Sequence, residues 1–433
     1  MPQVDKMKTA RVDCPNKTVS LFAISIIVAT IVGSCVRSAD LDGNSLNQKI
    51  NSGQSASTAP SSLSYPSNSY TFTDGLAINT QTPTVSGIVD NYSISPPLTS
   101  GLVFNATTGA ISGTPTIAAA LASYTVTANN SGGSTSTVIS IQVQGAALGS
   151  FTAANPSEAL TGVTFGNGTF VAVGNGASTQ VYTSPDGAIW TARTSAEQNS
   201  WQSVTYGNGV FVAVASSGAN RVMRSPDGMV WTAHSAAEQN PWTSVTYGGT
   251  LFVAVASFGT NRIMTSPDGI NWTARVAPQN NLWRSVTYGN GTFVAVSDSG
   301  TNQVMTSPDG INWSSRISAQ QNSWFSVTYG NGQFVAVANN GTNRVMTSSD
   351  GISWTSQMAA EQNDWSSVIF GSGLFLAVAG SGVNQVMSSK DAISWTTHTA
   401  AQANQWYSVA FGNNRFVAVS LTGSNTAMWA SWP

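Results

Sequence analysis

The sequence predicts an all-β protein in which a β-sandwich precedes a seven-bladed β-propeller of 41-residue, four-stranded repeats. Three observations carry that prediction. Trp201, Trp242, Trp283, Trp324, Trp365 and Trp406 recur every 41 residues, a period that suits one propeller blade. Within each repeat, short apolar runs alternate with Asn-Gly and Asp-Gly pairs, which reads as strands joined by tight turns. Composition agrees: 40 glycines and 14 tryptophans accompany only 8% charged residues. A formal net charge of −2 lacks the basic footprint of a nucleic-acid binder, so no such partner is expected.

Residues 1–34 read as a signal peptide. Lys6, Lys8, Arg11 and Lys17 precede an apolar run of 14 residues, Val19 to Val32. A membrane-spanning helix needs about 20 such residues, so the run is too short to be one. It ends in Val32-Gly33-Ser34-Cys35, which resembles the lipobox of bacterial lipoproteins. The resemblance implies that Cys35 is lipidated and becomes the mature N-terminus. Several acyl chains on one cysteine anchor stably where a single chain does not. Cys14 and Cys35 are the two cysteines of the chain, so no disulfide would remain after processing. Residues 35–62 are rich in Ser, Asn and Gln without period and read as a flexible tether.

Residues 63–145 alternate β-like runs with turns, as at Tyr70-Thr71-Phe72, Tyr92-Ser93-Ile94, Tyr124-Thr125-Val126-Thr127 and Val138-Ile139-Ser140-Ile141. Such spacing predicts a β-sandwich. Pro97-Leu98, Gly101-Leu102, Thr108-Gly109, Ile111 and Gly113-Thr114-Pro115 resemble the Ig-like domain of bacterial surface proteins, which is related to the dystroglycan-type cadherin-like fold. That resemblance implies a spacer or adhesion module. Asp74 and Asp90 are the only acids in the stretch, so the ligand set of a calcium-binding module is missing and no metal is expected.

Residues 150–433 carry the repeats. Counting 41 back from Trp201 reaches Leu160 and a seventh unit. Each unit predicts strand one at Ser203 to Tyr206, strand two at Phe211 to Val214, strand three at Arg221 to Arg224 and strand four near Trp231. Strand two is apolar on both faces, as fits a sheet sandwiched between two others. The seventh unit lacks a fourth strand before Pro433, and Phe151-Thr152-Ala153-Ala154 resembles one. It is expected to pair beside Ala427-Met428-Trp429 and close the ring.

The Ser-Pro-Asp-Gly-x-x-Trp turn resembles the Asp-box of BNR-repeat proteins, a group that includes sialidases. It occurs at Asp186, Asp227, Asp268, Asp309 and Asp350, with a degraded copy at Asp391. These aspartates are expected to be structural, bonding nearby amides while Gly takes positive φ. The resemblance also raises a divergent, sialidase-like glycosidase as an alternative. Catalysis needs one asymmetric set of groups. Here Glu197, Glu238 and Glu361 share one repeat position, and His234 and His398 another. The repeats therefore read as nearly symmetric, and no catalytic residue, enzyme activity or cofactor is expected. Twelve tryptophans lie at two repeat positions, which predicts packing between blades.

Strand direction alternates within a blade, so hairpins one–two and three–four share one face. Loops two–three and the blade-to-blade crossings share the other. The second face gathers Asn220-Arg221, Asn261-Arg262, Asn302-Gln303, Asn343-Arg344 and Asn384-Gln385, with Glu197, Glu238 and Glu361 from the crossings. This ring of amides, guanidiniums and carboxylates is the expected ligand face, suited to a protein or glycan. Leader, tether, sandwich and propeller in series predict a monomeric, surface-displayed binding or adhesion protein held to the membrane by its N-terminal lipid. Resemblance to spirochaete-type surface lipoproteins with this Ig-like module favours the outer membrane or cell surface. A periplasmic scaffold is the other arrangement.

Overall fold

A computed structural model describes residues 57–176 and 180–433. The signal peptide expected over 1–34, the lipidation site at Cys35 and tether residues 35–56 lie outside the described residues. Among the described residues every regular element is a strand, and residues 58–433 form one compact unit.

The first strands lie at Ser61–Ser64 and Ser69–Thr73. The long strands Ala119–Asn130 and Gly133–Gln144 form an antiparallel hairpin at the centre of a four-stranded sheet. Ser69–Thr73 adds parallel to one edge and Asn91–Ser95 antiparallel to the other. Two short two-stranded ladders complete this part. Period-two alternation sorts the side chains: Tyr124, Val126 and Ala128 point inward with Ile139 and Ile141, and join Leu63, Tyr92, Leu102 and Ile111 in one core.

Seven four-stranded antiparallel sheets follow, one per repeat. In the second repeat the strands are Trp201–Gly207, Val210–Ala215, Val222–Ser225 and Thr232–His234. The first hairpin turns at Asn208-Gly209, where φ is +48° and +76°. Positive φ at both central residues is the two-residue turn whose twist matches the flanking strands, and Asn-Gly is the pair that tolerates it best. Strand two is buried throughout. Its alternate residues Phe211, Ala213 and Ala215 pack with Val171 and Val173 of the preceding sheet. Val210, Val212 and Val214 pack with Trp242 of the next. Each strand two thus serves two interfaces, which is why neither of its faces is polar.

The seventh sheet takes its outer strand from upstream of the first. Thr152–Ala154 pairs antiparallel with Ala427–Ser431, with Ala154 opposite Ala427 and Thr152 opposite Trp429. The seventh sheet also abuts the first. Val417, Val419 and Ala427 share a core with Leu160, Phe170 and Ala172, and the Val163 amide donates to Ser408 Oγ at 3.2 Å. Adjacent sheets approach closely where strand one ends in Gly. A Cβ on Gly207 would lie 2.1 Å from Tyr247 Cγ, and one on Gly412 would lie 2.1 Å from Phe165 Cγ. The repeated sheets are therefore propeller-like, with the strands one innermost.

Candidate ligand-binding site

The side chains expected to form the ligand face are largely spent on one another. Asn220 donates its Nδ2 to Glu197 Oε1 at 2.6 Å and its amide to Glu197 Oε2 at 3.1 Å. Glu238 accepts the same pair from Asn261, and Glu361 from Asn384. The Asn220 bond, with the Asn199 amide adding to it, holds the Glu197 carboxyl below its ordinary range despite partial burial. The guanidiniums turn to the backbone of the crossing that leads to the next repeat: Arg221 donates to Gln239 O, Arg262 to Asn281 O and Arg344 to Asn363 O. Where the repeat has glutamine instead, the amide does the same work. Gln303 Nε2 donates to Asn322 O and Gln385 Nε2 to Asn404 O, each at 2.6 Å. Asn302 accepts through its carbonyl from Asn281 Nδ2, and Asn343 from Asn322 Nδ2. The structure brings each Glu to its Asn, but it distributes the three arginines over separate junctions.

The centre of the same face behaves differently. Just inside the inner tryptophans runs a belt of serine hydroxyls. Ser203, Ser244, Ser285, Ser326, Ser367 and Ser408 each accept the strand-one valine amide of the following repeat at 3.1–3.2 Å. Gly162 holds the corresponding place in the first repeat. Above the belt sits the residue that follows each tryptophan, or Leu160 in the first repeat. Thr161, Thr243 and Ser366 turn their hydroxyls back to two carbonyls, one of them on the inner tryptophan of the next repeat. Gln202, Arg284, Phe325 and Tyr407 make no such bond and stand around the axis instead, where they line a cavity of about 110 Å³. A groove of about 220 Å³ opens beside it over repeats five to seven and shares Phe325, Ser366 and Tyr407.

Arg284, Phe325, Tyr407 and one loop acid form a single cluster. Arg284 Nε donates to Asp298 Oδ2 at 2.5 Å. The Arg284 guanidinium lies 5.0 Å from the centre of the Phe325 ring, and Phe325 meets Tyr407 edge-on at 6.3 Å. Asp298 Oδ1 is buried and has no hydrogen-bond partner among the described residues. Burial raises the Tyr407 phenol above its ordinary value, with Arg284 opposing and Asp298 adding to the shift. The near symmetry expected of the repeats does not hold here. Strand one is otherwise close to Trp-x-Ser-Val-Thr-Tyr-Gly, yet x runs Thr, Gln, Thr, Arg, Phe, Ser, Tyr around the ring. That variability was the available signal. Its meaning depends on knowing that these seven positions, 41 residues apart, converge on one axis.

The opposite face carries the Ser-Pro-Asp-Gly turns. In the fourth repeat Ser307 Oγ donates to Asp309 Oδ1, which accepts the amides of Ile311 and Asn312 at 2.8 Å each. The Asn312 amide leads in holding the Asp309 carboxyl well below the usual range. Asp186, Asp227, Asp268, Asp350 and Asp391 accept two amides in the same way. The sixth copy departs because the N-terminal sheet sits on it. Lys390 replaces the usual Pro or Ser, and its Nζ lies 2.6 Å from Asp74 Oδ2. Asp74 Oδ1 accepts the Ala146 amide. A cavity here is lined by Asp74, Gly75, Asn331, Gly373, Lys390 and Trp432, so the N-terminal part rests on the hairpin face.

Residues 30–144 match the family described as "Putative Ig domain". No curated protein matches the sequence. Among solved structures, streptogramin B lyase is 12% identical over 66% of this chain and 98% of its own, with a TM-score of 0.58. The β-propeller domain of Cps50 (Swd1) from Myceliophteria thermophila is 10% identical over 65% of this chain and 99% of its own, with a TM-score of 0.49. At such identities the likeness is one of fold, and function has to be argued from the site.

Proposed function

We propose that this chain is an exported, lipid-anchored binding protein. In this reading a seven-bladed β-propeller, carried on an Ig-like sandwich, presents its crossing face to a protein or glycan outside the membrane. The observation that carries it is the placement of the N-terminal part. Asp74 and its neighbours occupy the hairpin face at Lys390, on the side opposite the axial cavity. An N-terminal sheet seated on one side and an open, asymmetric cavity on the other suit presentation of a ligand-binding face. The Asp-box carboxylates are committed to their own turns, which favours reversible binding over the glycosidase alternative.

Two measurements test this together. Cells expressing the chain should show acyl label and membrane partition that Cys35→Ala abolishes. Protease added to intact cells should remove the folded part. A Cys35→Ala protein that stays in the membrane would sink the anchor, and full protection in intact cells would favour the periplasmic scaffold instead.

A further inference from the structure

We propose that the axial cavity and its side groove form a single binding site for a neutral sugar unit, lined by Gln202, Arg284, Phe325 and Tyr407, with Asp298 behind Arg284. This inference rests on the binding reading above and narrows its ligand class. Three features of the site select the ligand.

The first is charge. Arg284 is paired with Asp298 at 2.5 Å, and Asp364 of the groove lining lies 3.4 Å from Arg344, so each charge of the lining already has a counter-charge and the site favours neither an anion nor a cation. The second is the donors. Arg284 uses Nε for Asp298, and its terminal N–H groups have no protein partner among the described residues. The belt serines accept amides, which leaves their own protons to donate. Sugar hydroxyls accept from both, whereas an apolar ligand would cut these donors off from water without replacing it. The third is the aromatic pair. Phe325 and Tyr407 line both the cavity and the groove, so the C–H face of a sugar ring has an apolar wall to rest on. An ammonium ligand would compete for Phe325 with Arg284, which already stands over it.

Size agrees. The cavity and groove measure about 110 and 220 Å³. With each water occupying about 30 Å³, that is on the order of ten water volumes, room for one or two sugar rings but not for a folded segment.

The test uses the full chain on an array of neutral and sialylated glycans, followed by calorimetry with the best neutral hit. Arg284→Gln and Tyr407→Ser should each weaken binding at least tenfold while the melting temperature stays within a few degrees. Met229→Ser, on the exposed hairpin face, should leave it unchanged. Phe325→Ser gives a second reading if Arg284→Gln fails to fold, and it should cost at least as much. Preference for sialylated or phosphorylated probes, or neutral binding that survives all three cavity substitutions, overturns this site. Binding that maps to the crossing loops instead overturns the site but leaves the binding reading standing. No binding to any glycan overturns the sugar assignment, and the binding reading then stands or falls on whether the chain captures a protein ligand.

Discussion

The contact between Asp74 and Lys390 decides how the N-terminal sheet sits on the repeats, and its strength can be worked out in advance. The charges lie 2.6 Å apart, with the Asp74 side chain 7% exposed and Lys390 49% exposed. At an effective dielectric constant near 20, Coulomb's law gives roughly 6 kcal/mol of attraction. Desolvation of the buried carboxylate and screening at the half-exposed ammonium remove most of that, leaving a coupling of about 1–3 kcal/mol. Lys390→Met removes the ammonium that also stands over the Trp432 ring and leaves Asp74 with only the Ala146 amide. It should cost about 2–3 kcal/mol. Asp74→Asn should cost a similar amount, and the double substitution clearly less than the sum. Urea denaturation at pH 7 reads all three, with the m-value reporting whether the two parts still unfold together. The double-mutant cycle isolates the pair. A coupling below about 0.5 kcal/mol would refute the claim that this pair holds the sheet in place.

Four further outcomes are expected. Trp283 is fully buried and donates Nε1 to Gln279 O, so Trp283→Ala should cost about 3–5 kcal/mol in the same assay. Removing residues 150–155 strips the outer strand from Ala427–Ser431 and should lower the melting temperature markedly; a chain starting at residue 158 that melts unchanged would rule out its role. Stability should fall on acidification in two stages. Burial depresses the His398 imidazole, so the folded state prefers it neutral and loses stability as pH drops below its unfolded value of about 6.5. The depressed Asp309 carboxyl stabilises at pH above its unfolded value of about 3.9 and loses that contribution only as pH falls further. His398→Asn should lessen the first stage in pH-dependent melts, which His234 shares, and Asp309→Asn the second, which the other turn aspartates share. Finally, no sialidase turnover is expected, since Arg221, Arg262 and Arg344 serve separate junctions; release of a fluorogenic sialoside that one substitution abolishes would overturn this.

Much of the architecture was legible because it is local or periodic. The inner tryptophans, the Asn-Gly turns and the doubly apolar strand two each declare their structure within one repeat. The strands of the second repeat fall within two residues of the places their runs predict. Repetition then multiplies the signal. The pairing of Thr152–Ala154 with Ala427–Ser431 was legible for a related reason: a missing fourth strand at one end matched a spare one at the other. Lys390 was visible only as a departure from the repeated Ser-Pro-Asp-Gly pattern, because its partner Asp74 lies 316 residues away.

The polar loops show where sequence reasoning ends. Their residue types suggest an open ring of recognition groups, yet Asn220 reaches Glu197 across 23 residues and Arg221 reaches the backbone of the crossing that leads to the next repeat. Hydrogen-bonding capacity is readable from a side chain; whether it is already used is not. The sequence by itself determined the strand class, the repeat, the turns and which strand is buried on both faces, since these follow from patterns along one or two repeats. Only the tertiary structure decided that Arg284, Phe325 and Tyr407 meet at one axis beside a buried, unpartnered Asp298. Ring geometry brings positions from different repeats into contact, and that proximity leaves no mark in the order of residues along the chain.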